Sequence, residues 1–282
     1  MSRYIRQRDG AWRIWHCQDH WHQGLWRLIR ERLSVEPPSK HPRTVKFCPA
    51  ETGEPLFLKI FFGTSALSAF KNVFRRSKAV RSFLLTEGLT GSGLNAPIAI
   101  GAGEERYARL LRRSFVVTLP VAGQPLPVFL REQFGARAPG MSVRQKREIL
   151  EGLAREIRTL HDLGFVHGDL VPGNIFIVAA PDSKVRFVFM DNDRTCRYPN
   201  WLPHRLCRRN LVQLNRFPLA GISLQDRMRF FHAYVRHRKL RRRDRKLVQW
   251  LEQKTRQRRR QCDAVDASGS FRRLMRWDAT VH

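Results

Sequence analysis

The sequence predicts an α+β protein in two parts, a small N-terminal lobe built on an antiparallel sheet with one main helix, and a larger, mostly helical C-terminal lobe. Three observations carry that expectation. Short apolar runs bounded by Pro and Gly, at Thr44–Phe47, Leu56–Phe62, Ala96–Ile100 and Phe115–Leu119, crowd the first part of the chain and read as strands. Apolar residues recurring at intervals of three and four dominate from Ser142 onward and read as helices. Between those helices lies one more hairpin pattern, Ile175–Val178 and Val185–Met190, entered from a loop rich in His, Gly, Asp and Asn.

The chain has 282 residues, 42% of them hydrophobic, enough for a sizeable core. Lys and Arg number 53 against 24 Asp and Glu, a formal charge of +29. So strong a field attracts polyanions: nucleic acid, anionic lipid or a phosphorylated glycan. Five cysteines, at 17, 48, 196, 207 and 262, contain no C-x-x-C pair and imply neither a disulfide framework nor a zinc site. The first residues are charged and carry no apolar h-region. The longest run without charge, Ser114–Leu130, is broken by three prolines, a Gly and a Gln, which a membrane-spanning helix tolerates poorly. The expected location is cytoplasmic, without an integral membrane segment.

Taken in order, residues 1–39 form a Trp- and Arg-rich segment, packed on or appended to the N-terminal lobe. Trp26, Ile29 and Leu33 fall on one face of a short helix, which suits either packing on its own domain or lying at a membrane surface. Residues 40–119 make the N-terminal lobe. Its first hairpin joins Thr44–Phe47 to Leu56–Phe62, and Lys59 interrupts the second apolar strand. A helical pattern from Ser65 to Leu89 follows, with Phe70, Val73, Phe74, Val80, Phe83 and Leu84 as core positions and Glu87 near its end. Residues 120–127 serve as a hinge after Thr118, and residues 128–282 form the helical lobe. There, Ser142 with Gln145 makes a capping box, and Ile149, Leu150, Leu153, Ile157 and Leu160 give the first long helix its apolar face. Gly164 suits its C′ position. A helical region around Arg208–Arg216 and a last helical block from Ser223 to about Leu251 complete the lobe. The last block is dense in Arg and Lys between Arg227 and Lys246.

The loop and hairpin carry the chemistry. His167-Gly168-Asp169 is followed five residues later by Asn174, and the second hairpin strand ends at Asp191, with Asp193 two residues on. An Asp, then an Asn five residues later, then a hairpin ending in a second Asp, is the layout kinase-like enzymes use for phosphoryl transfer from ATP. That reaction needs an acceptor hydroxyl held in line and phosphate charge neutralised. Asp169 would orient the acceptor hydroxyl or take its proton, and Asn174 and Asp191 would offer hard oxygen ligands to Mg²⁺. His167 reads as a structural hydrogen-bonding residue. Asp193 either supports Asp191 or a metal, or stabilises the turn. Lys59 would reach the α- and β-phosphates as a point charge, with Glu87 the leading carboxylate to pair with it.

These residues resemble a particular family. His167-Gly168-Asp169 to Asn174 with Met190-Asp191-Asn192-Asp193-Arg194 is similar to the lipopolysaccharide core kinases, the Kdo and heptose kinases of Gram-negative bacteria. Ser77–Phe83 through Gly93–Pro97, Val116–Thr118, Arg209–Arg216, and Asp226–Phe231 with Tyr234 agree with it. The resemblance implies a protein-kinase-like two-lobed fold with ATP and Mg²⁺ as cofactors. It also implies phosphorylation of a Kdo or heptose hydroxyl on the anionic lipopolysaccharide core, at the cytoplasmic face of the inner membrane and in peripheral contact with it. Thr118 becomes a nucleotide-binding position. Other readings are another small-molecule kinase of the same fold, or a non-catalytic basic protein binding RNA or anionic lipid. The chain has no Asp-Phe-Gly, no Ala-Pro-Glu and no glycine-rich loop, and Thr118-Leu119-Pro120 lacks an acidic residue after the Thr.

Overall fold

The structure is a computed structural model that describes residues 4–50, 53–63, 73, 75–134, 140–180, 185–199, 201, 204–219, 221–237 and 239–266. The chain divides into two compact units. One comprises residues 1–121 and 192–194, the other residues 122–191 and 195–282.

The first unit is a six-stranded antiparallel sheet in the order β1-β2-β5-β6-β4-β3. Its strands are β1 (Tyr4–Asp9), β2 (Trp12–Cys17), β3 (Arg43–Phe47), β4 (Leu56–Phe62), β5 (Ala99–Tyr107) and β6 (Leu110–Thr118). Helices α1 (Gln23–Val35) and α2 (Lys78–Gly91) belong to the same unit. Strand alternation sends Leu58, Ile60, Phe115 and Val117 into one core with Leu25, Trp26, Ile29 and Leu33 of α1. The intervening positions, among them Phe61 and Val116, meet Ala79, Val80 and Phe83 of α2. The sheet therefore has a helix on each face, and burying both apolar faces is what holds the layers together.

The N-terminal segment holds more regular structure than its helical periodicity indicates. Trp12, Ile14 and Trp15 lie on β2, which pairs with β5 from Trp12↔Glu105 to His16↔Gly101. Their tryptophan rings mask the alternation, because apolar residues occur on both faces of a strand that is covered on both sides. Trp26 anchors the hairpin turn by donating from Nε1 to Asp9 Oδ2 at 2.7 Å. Gly103 is dictated by packing, since a Cβ there would sit 2.5 Å from the Phe115 ring.

Helix α2 starts at the Ser77 cap, whose Oγ accepts from Val80 N, and buried Glu104 accepts from Ser77 N at 2.9 Å. Its described portion is shorter than the periodic stretch from Ser65. Phe70 and Phe74 lie outside the described residues.

The second unit is organised by α4 (Val143–Asp162), which begins at a capping box with both halves made by Ser142 and Gln145. Leu153, Ala154, Ile157 and Leu160 are wholly buried along it. Around it stand α3 (Leu126–Phe134), α5 (His204–Leu214), α6 (Leu224–Val235) and α7 (Arg242–Asp266). Strand β7 (Gln124–Pro125) pairs with β9 (Ile175–Ala179), which pairs with β10 (Val185–Phe189). Strand β8 (Phe165–Val166) pairs with β11 (Cys196–Arg197). The basic helical block expected from Ser223 consists of two helices. Arg236 closes α6 in the left-handed conformation at φ 56°, and Asp244 accepts from Arg241 N at 2.9 Å to start α7. No helix among the described residues is long and apolar enough to cross a membrane.

Candidate functional site

In the second unit, the segment 167–174 leaves β8, turns and enters β9, while Phe189 at the end of β10 lies opposite Ile175. Met190 N donates to Asn174 O at 2.8 Å. The hairpin thus sets Asn174 at the start of one strand and Asp191 just past the end of its neighbour.

Nearly every polar group of the loop backbone is assigned. Val171 N donates to Asp169 O at 2.9 Å, and Asn174 Nδ2 donates to the same oxygen at 2.9 Å. His167 is fully buried. Its Nε2 donates to Met190 O at 2.8 Å and its Nδ1 accepts from Asp169 N at 3.2 Å, which fixes the tautomer. Burial lowers its pKa, partly offset by the Met190 carbonyl and the Asp169 and Asp191 carboxylates. The imidazole is a neutral brace for the loop.

The loop is clamped from α5. Asn210, 1% exposed, accepts from His167 N at 3.1 Å through Oδ1 and donates through Nδ2 to His167 O and to Gln213 Oε1. Gln213 Nε2 donates to Gly168 O at 3.1 Å. Behind them, His161 Nε2 donates to Asn210 Oδ1 at 3.1 Å, and Tyr234 O–H donates to His161 Nδ1 at 2.8 Å. Burial holds the His161 imidazole down to about 4 and pushes the Tyr234 phenol up, so this chain keeps one protonation pattern across the neutral range. The sequence did mark these positions, as an Asn and a Gln one turn apart on the face of α5 that also carries Cys207, Leu211 and Leu214. A lone polar pair on an apolar helix face has no partner visible in sequence.

What the clamp leaves open is the Asp169 carboxylate. No described residue donates to it, although Asp169 N and O are both fixed. Asp191 takes φ 55°, a left-handed conformation that Asp tolerates better than most residues and that marks strained, functional turns.

For a divalent cation the donor set fits. Asn174 spends an amide N–H on Asp169 O while its Oδ1 accepts from no described residue, and Asp191 adds a carboxylate one residue beyond Met190. No cluster of three His, Cys, Asp or Glu that could hold a metal occurs among the described residues. Mg²⁺ needs none, since it takes one or two protein oxygens and completes its shell from phosphates and water.

In the first unit, Lys59 lies on β4 opposite Val116 of β6, on the sheet face that α2 covers. Its Nζ is 3.7 Å from Asp193 Oδ2 and 5.5 Å from the centre of the Phe61 ring. Glu87 follows Phe83 by one turn on α2 and stands beside the Cys17 thiol. Burial first, and the Glu87 carboxylate second, push that thiol up to about 11. Thr118 ends β6, across from Phe57 and Ala99, and Leu119 N donates to Ile98 O at 2.9 Å just after it.

A braced loop whose Asp carboxylate has no donor among the described residues, an Asn five residues on and a left-handed Asp after a hairpin match the layout of kinase-like phosphotransferases. Comparison with known proteins places it further. A profile of the lipopolysaccharide kinase (Kdo/WaaP) family matches residues 29–234, and the chain belongs to that family. It is a kinase of the lipopolysaccharide core, a phosphotransferase acting on a hydroxyl. A solved structure described as WaaP in complex with acyl carrier protein superposes with a TM-score of 0.60 at 23% identity, over 84% of this chain and 97% of that one. That likeness fixes the fold as kinase-like α+β. No match was found among curated proteins.

Proposed function

We propose that the protein transfers the γ-phosphate of ATP, with Mg²⁺, to a hydroxyl of Kdo or heptose in the inner core of lipopolysaccharide, working at the cytoplasmic face of the inner membrane. The observation that carries the reading is the Asp169 carboxylate, which has no donor among the described residues, in a loop whose backbone is held by Asn174, His167, Asn210 and Gln213. An enzyme of this kind gains most by fixing an acceptor hydroxyl in line, which requires a base held rigidly and unspent on the protein itself.

In this reading Asp169 accepts the hydrogen bond of the acceptor hydroxyl and takes its proton as the oxygen attacks phosphorus. Asn174 Oδ1 and the Asp191 carboxylate hold Mg²⁺, which supplies charge neutralisation on the phosphates when bound. Lys59 is assigned to the α- and β-phosphates, with Glu87 and Asp193 as the carboxylates that hold its ammonium. Thr118 is assigned to the nucleotide side of the hinge. A net charge of +29 supports an anionic glycolipid substrate and contact with an anionic bilayer over a neutral sugar.

The test is transfer of labelled γ-phosphate to purified core glycolipid acceptors ending in Kdo or in heptose, with wild type and Asp169→Ala. Transfer by wild type and its loss by at least about a thousandfold in the variant, with an unchanged circular dichroism spectrum, is expected. Undiminished turnover in Asp169→Ala would remove Asp169 from the reaction. Absence of transfer to either acceptor by folded wild-type protein would remove the sugar assignment.

A further inference from the structure

Helices α5 and α7 of the second unit enclose a surface groove of about 360 Å³. Arg205 and Arg209 of α5 face it together with Trp250, Lys254 and Arg258 of α7, and among the described residues the lining contains no carboxylate. The spacing is regular. Arg205 and Arg209 are one turn apart on α5, and Trp250, Lys254 and Arg258 succeed one another at the same interval on α7, so each helix turns one stripe into the groove.

None of the four cations has a carboxylate partner among the described residues. Arg205 and Arg209 have no side-chain partner among the described residues. Lys254 donates only to Gln257 at 3.0 Å and Arg258 only to Gln261 at 3.0 Å, both amides of their own helix. Elsewhere this chain pairs its cations readily. Arg256, on the same helix, meets Glu252 at 2.7 Å, and Arg144, Arg158 and Lys146 each have a carboxylate. Like charges at one-turn spacing weaken a helix, and two such pairs across one concavity repel each other further. Four cations held together with no counter-charge among the described residues favour an external anion.

We infer that this groove binds a phosphomonoester carried on a sugar, the guanidinium forks of Arg205 and Arg209 and the Lys254 and Arg258 charges taking the phosphate while the half-buried Trp250 indole meets the ring. Arg matches phosphate oxygens in pairs, and an indole offers an apolar face with one polar edge, which suits a saccharide better than a bare ion. None of these residues belongs to the loop 167–174 or the hairpin it enters, and the inference does not require catalysis.

Isothermal titration of the full chain with α-D-glucose 1,6-bisphosphate and, separately, with inorganic phosphate tests it at near-physiological ionic strength. The sugar bisphosphate should bind more tightly by about tenfold or more. Arg205→Gln with Arg209→Gln should weaken it by about tenfold while leaving the melting temperature at or above the wild-type value, because repulsion has been removed. Arg242→Gln with Arg245→Gln, two exposed residues of α7 outside the groove, removes the same charge and should change binding by less than about twofold. Trp250→Ala should abolish the preference for the sugar bisphosphate over inorganic phosphate. Equal losses in the two double variants, or no preference in wild type, would overturn the site. Sedimentation with phosphatidylcholine vesicles containing phosphatidic acid separates the sources. Loss of vesicle binding in the groove variant alone identifies a lipid headgroup phosphate, and retained binding identifies a soluble or glycan-borne one.

Discussion

Replacing Asn210 by Ala tests whether the clamp behind the loop governs both stability and turnover. The side chain is 1% exposed and bonds His167 N, His167 O, His161 and Gln213. Truncation orphans the two backbone groups of His167, a residue with no solvent access, and removes the acceptor for His161. At about 1–3 kcal/mol for each of the three buried groups left unpaired, the loss sums to roughly 3–9 kcal/mol. At the lower end of that range, against a typical 5–15 kcal/mol, the enzyme stays folded and its urea midpoint falls by about 1–3 M for m values of 1–3 kcal/mol/M. Released at His167 and Gly168, Asp169 loses its fixed approach, and kcat should fall by about a hundredfold with little change in KM for ATP. Gln213→Ala frees the Gly168 carbonyl, the weaker contact to Leu170 and one of the two acceptors of Asn210 Nδ2, which keeps its bond to His167 O, so it should cost about 1–2 kcal/mol and a smaller part of kcat. Urea titration and steady-state kinetics on the same preparations read both quantities. A wild-type midpoint in Asn210→Ala, or a lost midpoint with undisturbed kcat, would refute the idea that Asn210 is a positioning residue.

Two further expectations concern the metal and pH. Mg·ATP should raise the melting temperature of wild type and not that of Asp191→Ala, whereas ATP without Mg²⁺ should shift both equally; an unaltered Mg²⁺ response in the variant would remove Asp191 from the metal site. His161 is held down to about 4 against an ordinary 6.5, so the unfolded chain binds the extra proton first. Stability is therefore full above about pH 6.5 and declines as pH falls towards 4, by roughly 3 kcal/mol from this residue if it alone charges. His167 acts in the same direction. Urea midpoints between pH 7 and 4 check this, and His161→Gln should flatten the profile.

Much of this architecture was written in local pattern. The box at Ser142 and Gln145 and the apolar stripe of α4 needed only neighbours along the helix to be recognised. The hairpin from Ile175 to Phe189 and the flanking Asn174 and Asp191 were likewise legible, because the turn and the strands that place them are contiguous. The hidden features depend on distant partners. Strand β2 escaped notice because Trp12, Ile14 and Trp15 are apolar on both faces, and only pairing with β5 and cover by α1 explain that. Asn210 and Gln213 have partners, the backbone of His167 and Gly168, that lie more than forty residues away in sequence, so local pattern assigns them no role. The break between α6 and α7 turned on a single left-handed Arg, a conformation no propensity favours.

The sheet order has a practical consequence for choosing where the folding unit begins. The family match starts at residue 29, inside α1, yet β2 is the strand that covers the β5 edge and Trp12 and Trp26 fill the core beneath. A shortened chain cut at that boundary would bare a row of unsatisfied β5 amides and carbonyls beside an opened aromatic core. Such an edge recruits other strands, so the product to expect is an aggregate. The hairpin that lies outside the shared family span is thus what makes this version of the sheet self-contained.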